Sequence, residues 1–379
     1  MKLTDVCDFQ GGSQPPKEEW SLENQNGYIR MLQIRDFTQG ERVTPEYIKL
    51  TKNTKICEAD DILIARYGAS LGKILTGLSG AYNVAIMRAI PDSKKLKKKY
   101  LYYYFKSPYF QNKILNVGVR AAQAGFNKED LSKLDINCPE ILEQDSIVSI
   151  FEIIELIINK RQQQLSALDN LIKARFVEIF GMLESPSQSY QISTLKNLCY
   201  KITDGKHGGC LQKDGSGRFF VGAREIYDDA VHYETAPEIE VEEFEKDYKR
   251  CNVEVGDFLI VNTGATIGKS AIATDTRTEH TLLQKSVALL KVKQDLIHPV
   301  FLKYCYAVNE KMYMVNSASA QPNLLLSRIN ATEIYVPPMK QQEEYVAFVA
   351  QVNKFKAAVQ NALGKTQTLF DSLMQQYFG

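Results

Sequence analysis

The chain has 379 residues, of which 44% are hydrophobic, and its 46 lysines and arginines nearly balance 45 acidic residues. This length predicts a sizeable core divided among two or more domains. No apolar run is long enough to span a bilayer and the opening MKLTDVCDFQ has no signal-peptide pattern, so we expect a cytoplasmic protein without a membrane segment. The seven scattered cysteines include no C-x₂-C pair, which argues against a disulfide framework and a zinc site.

The near-zero net charge conceals a difference between two parts of the chain. Residues 1–140 hold 21 Lys and Arg against 16 Asp and Glu, whereas residues 185–339 hold 17 against 19. A site for a polyanion therefore has to be a local patch.

The first 140 residues are typical of strands and short helices joined by turns. DDILIARYG (60–68) and VAIMRAI (84–90) predict strands, and KKYLYYYFKSPYF (98–110) predicts helix. The loop FQGGSQ (9–14) lacks the glycine spacing of a cofactor-binding loop and follows no convincing buried strand, so we expect no nucleotide there.

Five lysines precede a tyrosine-rich helix in SKKLKKKYLYYYFK (93–106), and two interpretations stay open. The lysines could neutralise phosphates while the aromatic rings pack beside them. Alternatively, the segment is a solvated helix start above a stripe of core aromatic residues.

Each half of the chain ends in a long helical pattern. Apolar residues recur with four-three spacing from 147 to 179, and again 198 residues later, which is typical of a coiled-coil seam. About 40 residues at 1.5 Å each make a helix about 60 Å long, so we predict that the two helices pair with each other. Arg161, Arg175 and Lys356 on the seam either set its register or contact a third partner. The residues predicted to pair the helices are Phe151, Ile154, Ile158, Leu165, Leu168, Ile172, Val349, Val352, Val359, Leu363, Phe370 and Leu373.

The second globular segment contains a near-match to a nucleotide-binding loop. In LIVNTGATIGKS (259–270), three residues separate Gly264 from Gly268, whereas a P-loop needs four. LIARYGASLGKI (63–74) repeats the pattern at an offset of 196. We therefore predict a strand, a glycine turn and a second strand that occur twice. GDFLIVNTG and KSVALLKV also predict strands, and PVFLKYCYAV predicts a helix.

The repeat extends over the whole chain. INCPEILEQ (136–144) matches IYVPPMKQQ (334–342), and IFG (179–181) matches YFG (377–379), both at an offset of 198. We predict an α+β protein with internal pseudo-twofold symmetry, in which two similar mixed α/β domains are joined by two long antiparallel helices forming a coiled coil, with one domain at each end. The predicted boundaries are 1–140 for domain 1, 141–181 for helix 1, 182–339 for domain 2 with its linker 182–190, and 340–379 for helix 2.

Residues suited to catalysis are scarce. QPPK (14–17) and VPPM (336–339) lack the flanking residues that an amino-methyltransferase needs around Pro-Pro. His207, His232, His280 and His298 form no metal-binding pair. We expect no catalytic residue, metal ligand or cofactor in this chain.

Polar and basic loop residues are better suited to reading DNA. Arg, Lys, Asn and Gln can form paired hydrogen bonds that distinguish guanine from adenine in the major groove. The candidates are Gln14, Arg30, Arg35, Arg66, Lys73, Gln123 and Asn127 in the first half, and Lys206, His207, Arg218, Arg224, Asn262, Thr266, Lys269, Gln321 and Asn323 in the second.

Taken in order, these motifs resemble the specificity subunit of a type I restriction-modification system over essentially the whole chain. The resemblance is carried by ITDGKHG (202–208), the paired DILIARYGASLGK and DFLIVNTGATIGK, the QAGFN and QPN stretches leading to PEILEQ and PPMKQQ, and two helices ending in FG. It implies two target recognition domains, each reading one half of a bipartite sequence in double-stranded DNA, as part of defence against foreign DNA.

The resemblance also implies partners. Two methyltransferase subunits would bring S-adenosylmethionine and adenine methylation, and a restriction and translocase subunit would bring ATP and Mg²⁺. FQGGSQPPK in the first domain departs from ITDGKHG in the second, which predicts that the two loops read different bases. Two other readings stay open: a two-headed adaptor that binds proteins, and a nucleotide-using enzyme.

Overall fold

The computed structural model describes residues 1–118, 125–309 and 324–379. The chain divides into two compact units: Met1–Gln162 with Gln360–Gly379 form unit 1, and Gln163–Val359 form unit 2. Among the described residues, no helix is both long enough and apolar enough to cross a bilayer.

Unit 1 contains a mixed domain and parts of two long helices. Its strands are β1 (Cys7–Gly11), β2 (Trp20–Ser21), β3 (Tyr28–Leu32), β4 (Tyr47–Lys49), β5 (Ile56–Cys57), β6 (Ile62–Ala65), β7 (Ile74–Leu75), β8 (Gly80–Tyr82) and β9 (Ile86–Pro91). Its helices are α1 (Ile34–Gln39), α2 (Lys98–Lys106), α3 (Pro108–Gly118), α4 (Lys128–Ser132) and the first part of α5 (Ile141–Phe180).

Unit 2 contains the rest of α5 and a second mixed domain. Its strands are β10 (Gly181–Met182), β11 (Ser185–Pro186), β12 (Gln191–Thr194), β13 (Cys199–Asp204), β14 (Phe219–Val221), β15 (Ile226–Tyr227), β16 (Ala230–Val231), β17 (Phe258–Val261), β18 (Ser270–Ile272), β19 (Thr281–Leu283), β20 (Val287–Val292) and β21 (Glu333–Val336). Its helices are α6 (Leu195–Leu198), α7 (Val241–Cys251), α8 (Pro299–Val308), α9 (Leu326–Ala331) and α10 (Met339–Phe378), which ends in unit 1.

The same antiparallel sheet is built in both units. Its order is β1-β9-β6-β7 in unit 1 and β13-β20-β17-β18 in unit 2. The predicted strand, glycine turn and strand are confirmed, because β6 pairs with β7 and β17 pairs with β18 at the same register offset of 196 residues. A parallel pair stands beside each sheet, β3 with β8 and β14 with β19. The internal repeat is therefore a repeat of topology as well as of sequence.

In unit 1, α5 and α10 run antiparallel. The Phe151 ring lies 5.3 Å from Phe370 and 5.9 Å from Phe378, and Arg161, ten residues further along α5, donates to the carbonyl of Ala362. Phe378 also lies 5.1 Å from Tyr100 of α2, so the end of α10 completes the core of this domain.

In unit 2, the later part of α5 packs against the start of α10, again antiparallel. The Tyr345 hydroxyl donates to the Ile172 carbonyl at 3.1 Å, and the Phe176 and Tyr345 rings are 5.3 Å apart. Lys356 pairs with Asp169 across the helices. Phe180, the last residue of α5, packs 5.0 Å from Phe301 of α8, and Gly181 ends the helix at φ 76°.

All twelve residues predicted to pair the helices are buried or half-buried. Five are buried and the rest are half-buried; the buried ones are Phe151, Ile154, Ile172, Val349 and Val352, and the half-buried ones are Ile158, Leu165, Leu168, Val359, Leu363, Phe370 and Leu373. Among the polar seam residues, Arg161 and Lys356 bond across the helices, whereas Arg175 pairs with Glu178 on its own helix at 2.8 Å.

The tyrosine-rich helix α2 belongs to the core. Tyr100, Tyr103 and Tyr104 are buried, and Tyr103 stacks 4.8 Å from Phe151. The lysines around these tyrosines pair with carboxylates: Lys97 with Asp145, Lys98 with Asp60 and Asp61, Lys99 with Glu152, and Lys106 with Glu155. The structure thus favours the core stripe over a stacking surface for DNA.

Candidate DNA interface

A loop pinned by one glycine follows the first strand of each sheet. In unit 1, the Gly12 amide donates to the Ile86 carbonyl and the Ser13 amide donates to the Tyr82 carbonyl, both at 3.1 Å. A Cβ on Gly12 would lie 2.1 Å from the Asn83 carbonyl oxygen. Only glycine lets the backbone pass this close.

Unit 2 repeats the arrangement with different side chains. Gly205 donates to Val287 at 3.2 Å and Lys206 donates to Leu283 at 2.7 Å, and a Cβ on Gly205 would lie 2.1 Å from the Leu283 oxygen. We call residues 11–14 and 204–207 the crossing loops. FQGGSQ and ITDGKHG are therefore equivalent in backbone.

One expectation about the first crossing loop is wrong. The first three residues of FQGGSQ, Phe9 to Gly11, belong to β1, so the loop does follow a strand, whose Cys7 and Phe9 are buried in the domain core. The apolar and polar residues from Cys7 to Gln10 alternate as in a half-buried strand, but the alternation is only four residues long and two glycines follow it, so the signal is weak.

A glycine hairpin follows β6 and β17, at the same end of each sheet as the crossing loop. Gly72 and Gly268 adopt φ of 79° and 90°, in the left-handed region that favours glycine. The next residues, Lys73 and Lys269, are exposed, and neither forms an ion pair within the described parts of the chain. These two lysines offer unneutralised positive charge at equivalent positions.

The first residue after β6 in unit 1 differs from the first residue after β17 in unit 2. The Arg66 amide donates to the Ala85 carbonyl at 2.8 Å, and the Asn262 amide donates to the Ser286 carbonyl at 3.0 Å, so the two backbones are equivalent. The Arg66 guanidinium donates to the Phe126 carbonyl at 3.2 Å and lies 5.0 Å from the Tyr67 ring. Asn262 is buried at the edge of a cavity of about 300 Å³ that Asp204 and Lys285 also line.

Three basic candidates are already bound to carboxylates. Arg30 pairs with Asp36 at 2.7 Å, and Arg35 pairs with Glu46. The Nζ atom of Lys206 lies 2.5 Å from a carboxylate oxygen of Glu243 and 2.8 Å from one of Asp247, both on α7. Its hydrogen bonds to Asp247 and to Glu243 raise the pKa of the ammonium. In this state, these three cations contribute little free charge to a phosphate site.

The remaining candidates are distributed over several surfaces. Gln14, His207 and Arg224 are exposed and Thr266 is half-buried, whereas Arg218 packs 5.1 Å over the Phe244 ring and Asn127 caps α4 by accepting from the Asp130 amide at 3.1 Å. Gln123, Gln321 and Asn323 lie outside the described residues.

Some residues beside the crossing loops were missed by the sequence analysis. Asn83 precedes β9 and is half-buried, and Lys285 precedes β20 and is exposed. Tyr67 is 39% exposed at the tip of the first hairpin. The only available signal was their position next to a predicted strand. Among the described residues, no group of acidic residues, His and Cys could hold a metal ion.

Comparisons with known proteins agree with the duplicated architecture. A family model described as the type I restriction modification DNA specificity domain matches the chain twice, over residues 1–167 and 190–365. A crystal structure of the type I restriction-modification system S subunit from M. genitalium is similar with a TM-score of 0.52 and 15% identity, over 100% of this chain and 95% of that chain.

A second solved structure, described as the structural basis underlying complex assembly and conformational transition of the type I R-M system, is similar with a TM-score of 0.60 and 17% identity. The match covers 100% of this chain and 99% of that chain. At such identities, the likeness is one of fold. No significant match was found among curated proteins.

Proposed function

Since the chain belongs to the family of type I restriction modification DNA specificity domains, we propose that it reads a bipartite sequence in double-stranded DNA, one half with each globular domain. The observation that carries this proposal is the crossing loop and the hairpin at the same end of the sheet. Both are built twice, on two sheets of the same strand order, with different side chains. Equal backbones hold the two loops in the same way, while unequal side chains allow each to read its own bases.

The charges around the loops support different roles for the hairpins and the crossing loops. Lys73 and Lys269 are exposed and unpaired within the described residues, which suits contact with phosphates. Gln14 and His207 occupy corresponding exposed positions in the crossing loops, which suits hydrogen bonds to base edges. Phosphate contacts then set the position of the DNA and the crossing loops supply specificity.

The hairpin lysines provide the first test. We expect Lys73→Ala or Lys269→Ala to weaken DNA binding about three- to tenfold across all sequences and to lower the salt slope by about one, as loss of one phosphate contact should. Binding titrations of the assembled complex at several salt concentrations measure both effects.

Lys365→Ala on α10 is the matched control, because that lysine is also exposed but stands on a long helix. Unchanged DNA binding in both hairpin variants would mean that the two turns have only a structural role.

We further propose that two methyltransferase subunits dock on the long helices, with a restriction subunit joining the assembly. On α5, Ile150, Ile153, Leu156 and Ile157 are between 36% and 59% exposed and recur at helical spacing. A row of exposed apolar side chains on one helix is typical of a protein interface. S-adenosylmethionine, ATP and Mg²⁺ would then be bound by the partners.

Co-expression with methyltransferase subunits tests the assembly. We expect a complex of two methyltransferase subunits to one copy of this chain, and adenine methylation at a bipartite site. Ile153→Glu with Ile157→Glu should reduce capture at least tenfold, because a charge buried without a partner is costly, whereas Leu50→Glu, on an exposed loop leucine of the globular domain, should not. A folded chain that captures no methyltransferase would favour the protein-binding adaptor.

A further inference from the structure

A fully buried glutamine stands in the first turns of each long helix. Gln144 of α5 and Gln342 of α10 are 198 residues apart, and both are 0% exposed. A buried amide group needs specific partners for both its oxygen and its nitrogen. The partners common to both sites are backbone groups of the adjoining domain, and Gln144 has the Cys138 sulfur at 3.6 Å in addition.

In unit 1, the Gln144 amide joins the domain to the helix. Its Oε1 accepts from the Lys97 amide at 2.9 Å, and its Nε2 donates at 2.8 Å to the carbonyls of Lys95 and Pro139. Lys97 caps the start of α2, which carries the core tyrosines, and Pro139 lies in the segment that leads into α5.

In unit 2, the Gln342 amide makes the same three bonds. Its Oε1 accepts from the His298 amide at 2.9 Å, and its Nε2 donates to Leu296 at 3.3 Å and to Pro337 at 2.8 Å. His298 caps the start of α8, and Pro337 lies in the segment that leads into α10. The two glutamines therefore join equivalent parts of the two domains to equivalent helices.

Apolar packing alone would permit a small change in the direction of the helix, because it is not directional. Hydrogen bonds are directional and weaken steeply when bent. With three bonds to two separate backbone segments, each glutamine fixes the direction in which the long helix leaves its domain. A side chain without these groups leaves that direction to packing.

We propose that Gln144 and Gln342 are positioning residues that fix the angle between each recognition domain and its long helix, and thereby the number of base pairs between the two half-sites. The inference rests on the proposed function. Neither glutamine touches DNA, since both are inaccessible. Because neighbouring base pairs are about 3.4 Å apart along the duplex, a small change of angle is enough to shift a DNA-contacting loop by one base pair.

The test uses Gln144→Met and Gln342→Met, which keep the length and volume of the side chain and remove its hydrogen bonds. Each full-length variant is co-expressed with methyltransferase subunits in cells that carry a library of sites with constant half-sites and spacers of varied length. We expect the preference for one spacer over its neighbours to fall about tenfold, while the half-site sequences stay the same. Methylation-sensitive sequencing of the library measures both.

Gln162→Met and Gln360→Met are the matched controls, because these glutamines are exposed on the same two helices. Thermal unfolding identifies variants that remain folded, and Gln144→Asn and Gln342→Asn, which withdraw the amide by one methylene, provide a second series if the methionine variants do not accumulate. A folded variant that methylates less at every spacer but keeps the wild-type spacer preference would overturn the positioning role. A wild-type complex that methylates no bipartite site would overturn the proposed function, and the inference with it.

Discussion

The two globular domains have the same arrangement of the main chain but differ in the charged and polar side chains of their crossing loops. In unit 1, the crossing loop carries Gln14 as an exposed polar side chain. In unit 2, Lys206 of the equivalent loop is held by Glu243 and Asp247 of α7. The same strand order and one glycine accompany both loops, while their side chains differ, as separate reading of two half-sites would require.

An equivalent aspartate shows the same difference in the supporting structure. Burial acts to raise the pKa of Asp61, but the Glu58 amide, Lys98 and Arg88 outweigh burial and lower it. In Asp257, burial outweighs the hydrogen bonds from Lys291 and the Glu254 amide and raises the pKa. The charged form of Asp61 therefore stabilises the folded state of unit 1, whereas the charged form of Asp257 destabilises that of unit 2.

The largest expected effect comes from filling the space above the pinned glycines. Gly12→Val and Gly205→Val place side-chain atoms against a carbonyl oxygen that even a Cβ would approach to 2.1 Å. We expect each change to cost about 3 kcal/mol of stability and to abolish recognition of its own half-site only. Thermal unfolding and binding to DNA with one altered half-site measure these effects.

Gly209→Ala is the control for the glycine variants, because a Cβ there meets nothing within 4 Å. Loss of both half-sites on changing one glycine would show that the domains do not act separately.

A smaller effect is expected from the aspartates. Asp61→Asn should lower the free energy of unfolding by about 2 kcal/mol, because it removes charged hydrogen bonds to Lys98 and Arg88. Asp257→Asn should cost less than about 1 kcal/mol, because loss of the Lys291 pair is offset by relief of burial. Chemical denaturation at pH 7 measures the difference.

The pH dependence should distinguish the same two residues. The stabilisation from Asp61 is present above its unfolded pKa of about 4 and is lost as the pH falls through its lower folded pKa. At Asp257, a fall in pH through the raised pKa instead removes a penalty. Asp61→Asn should therefore destabilise less at pH 3 than at pH 7. Equal losses from both variants at both pH values would contradict this contrast.

The smallest effect should come from releasing Lys206. Glu243→Gln with Asp247→Asn frees its ammonium, so the salt slope of DNA binding should rise by about one. Glu242→Gln with Glu245→Gln, two exposed acids on the same helix, provides the control at equal net charge. If the two double variants bind DNA with the same salt slope, α7 does not withhold Lys206.

Periodicity and repetition predicted most of the fold. The paired long helices, the hairpins after β6 and β17, and the strand-like GDFLIVNTG and KSVALLKV were predicted correctly, because local spacing sets these elements. The sequence analysis compared FQGGSQ with ITDGKHG as corresponding loops, but it did not predict that the two share one backbone path centred on a glycine. A backbone that passes close to a neighbouring strand requires only one glycine, and that leaves too little sequence to recognise.

The charges at the candidate interface could not be read from the sequence for a different reason. Lys206 and Glu243 are 37 residues apart, and their ion pair depends on how α7 packs against the crossing loop. The sequence identifies the lysines and arginines that are able to contact DNA. Only the packing determines which of them already pair with carboxylates. The base-contacting residues stay predictions.

Exchange of residues 1–140 for a different recognition domain of the family tests the central claim most directly, with methylome sequencing of cells that carry the hybrid chain and methyltransferase subunits. Separate reading by two copies of one fold predicts that one half of the methylated sequence changes and the other half is kept. A hybrid that folds and methylates with both halves changed, or with neither changed, would contradict the account.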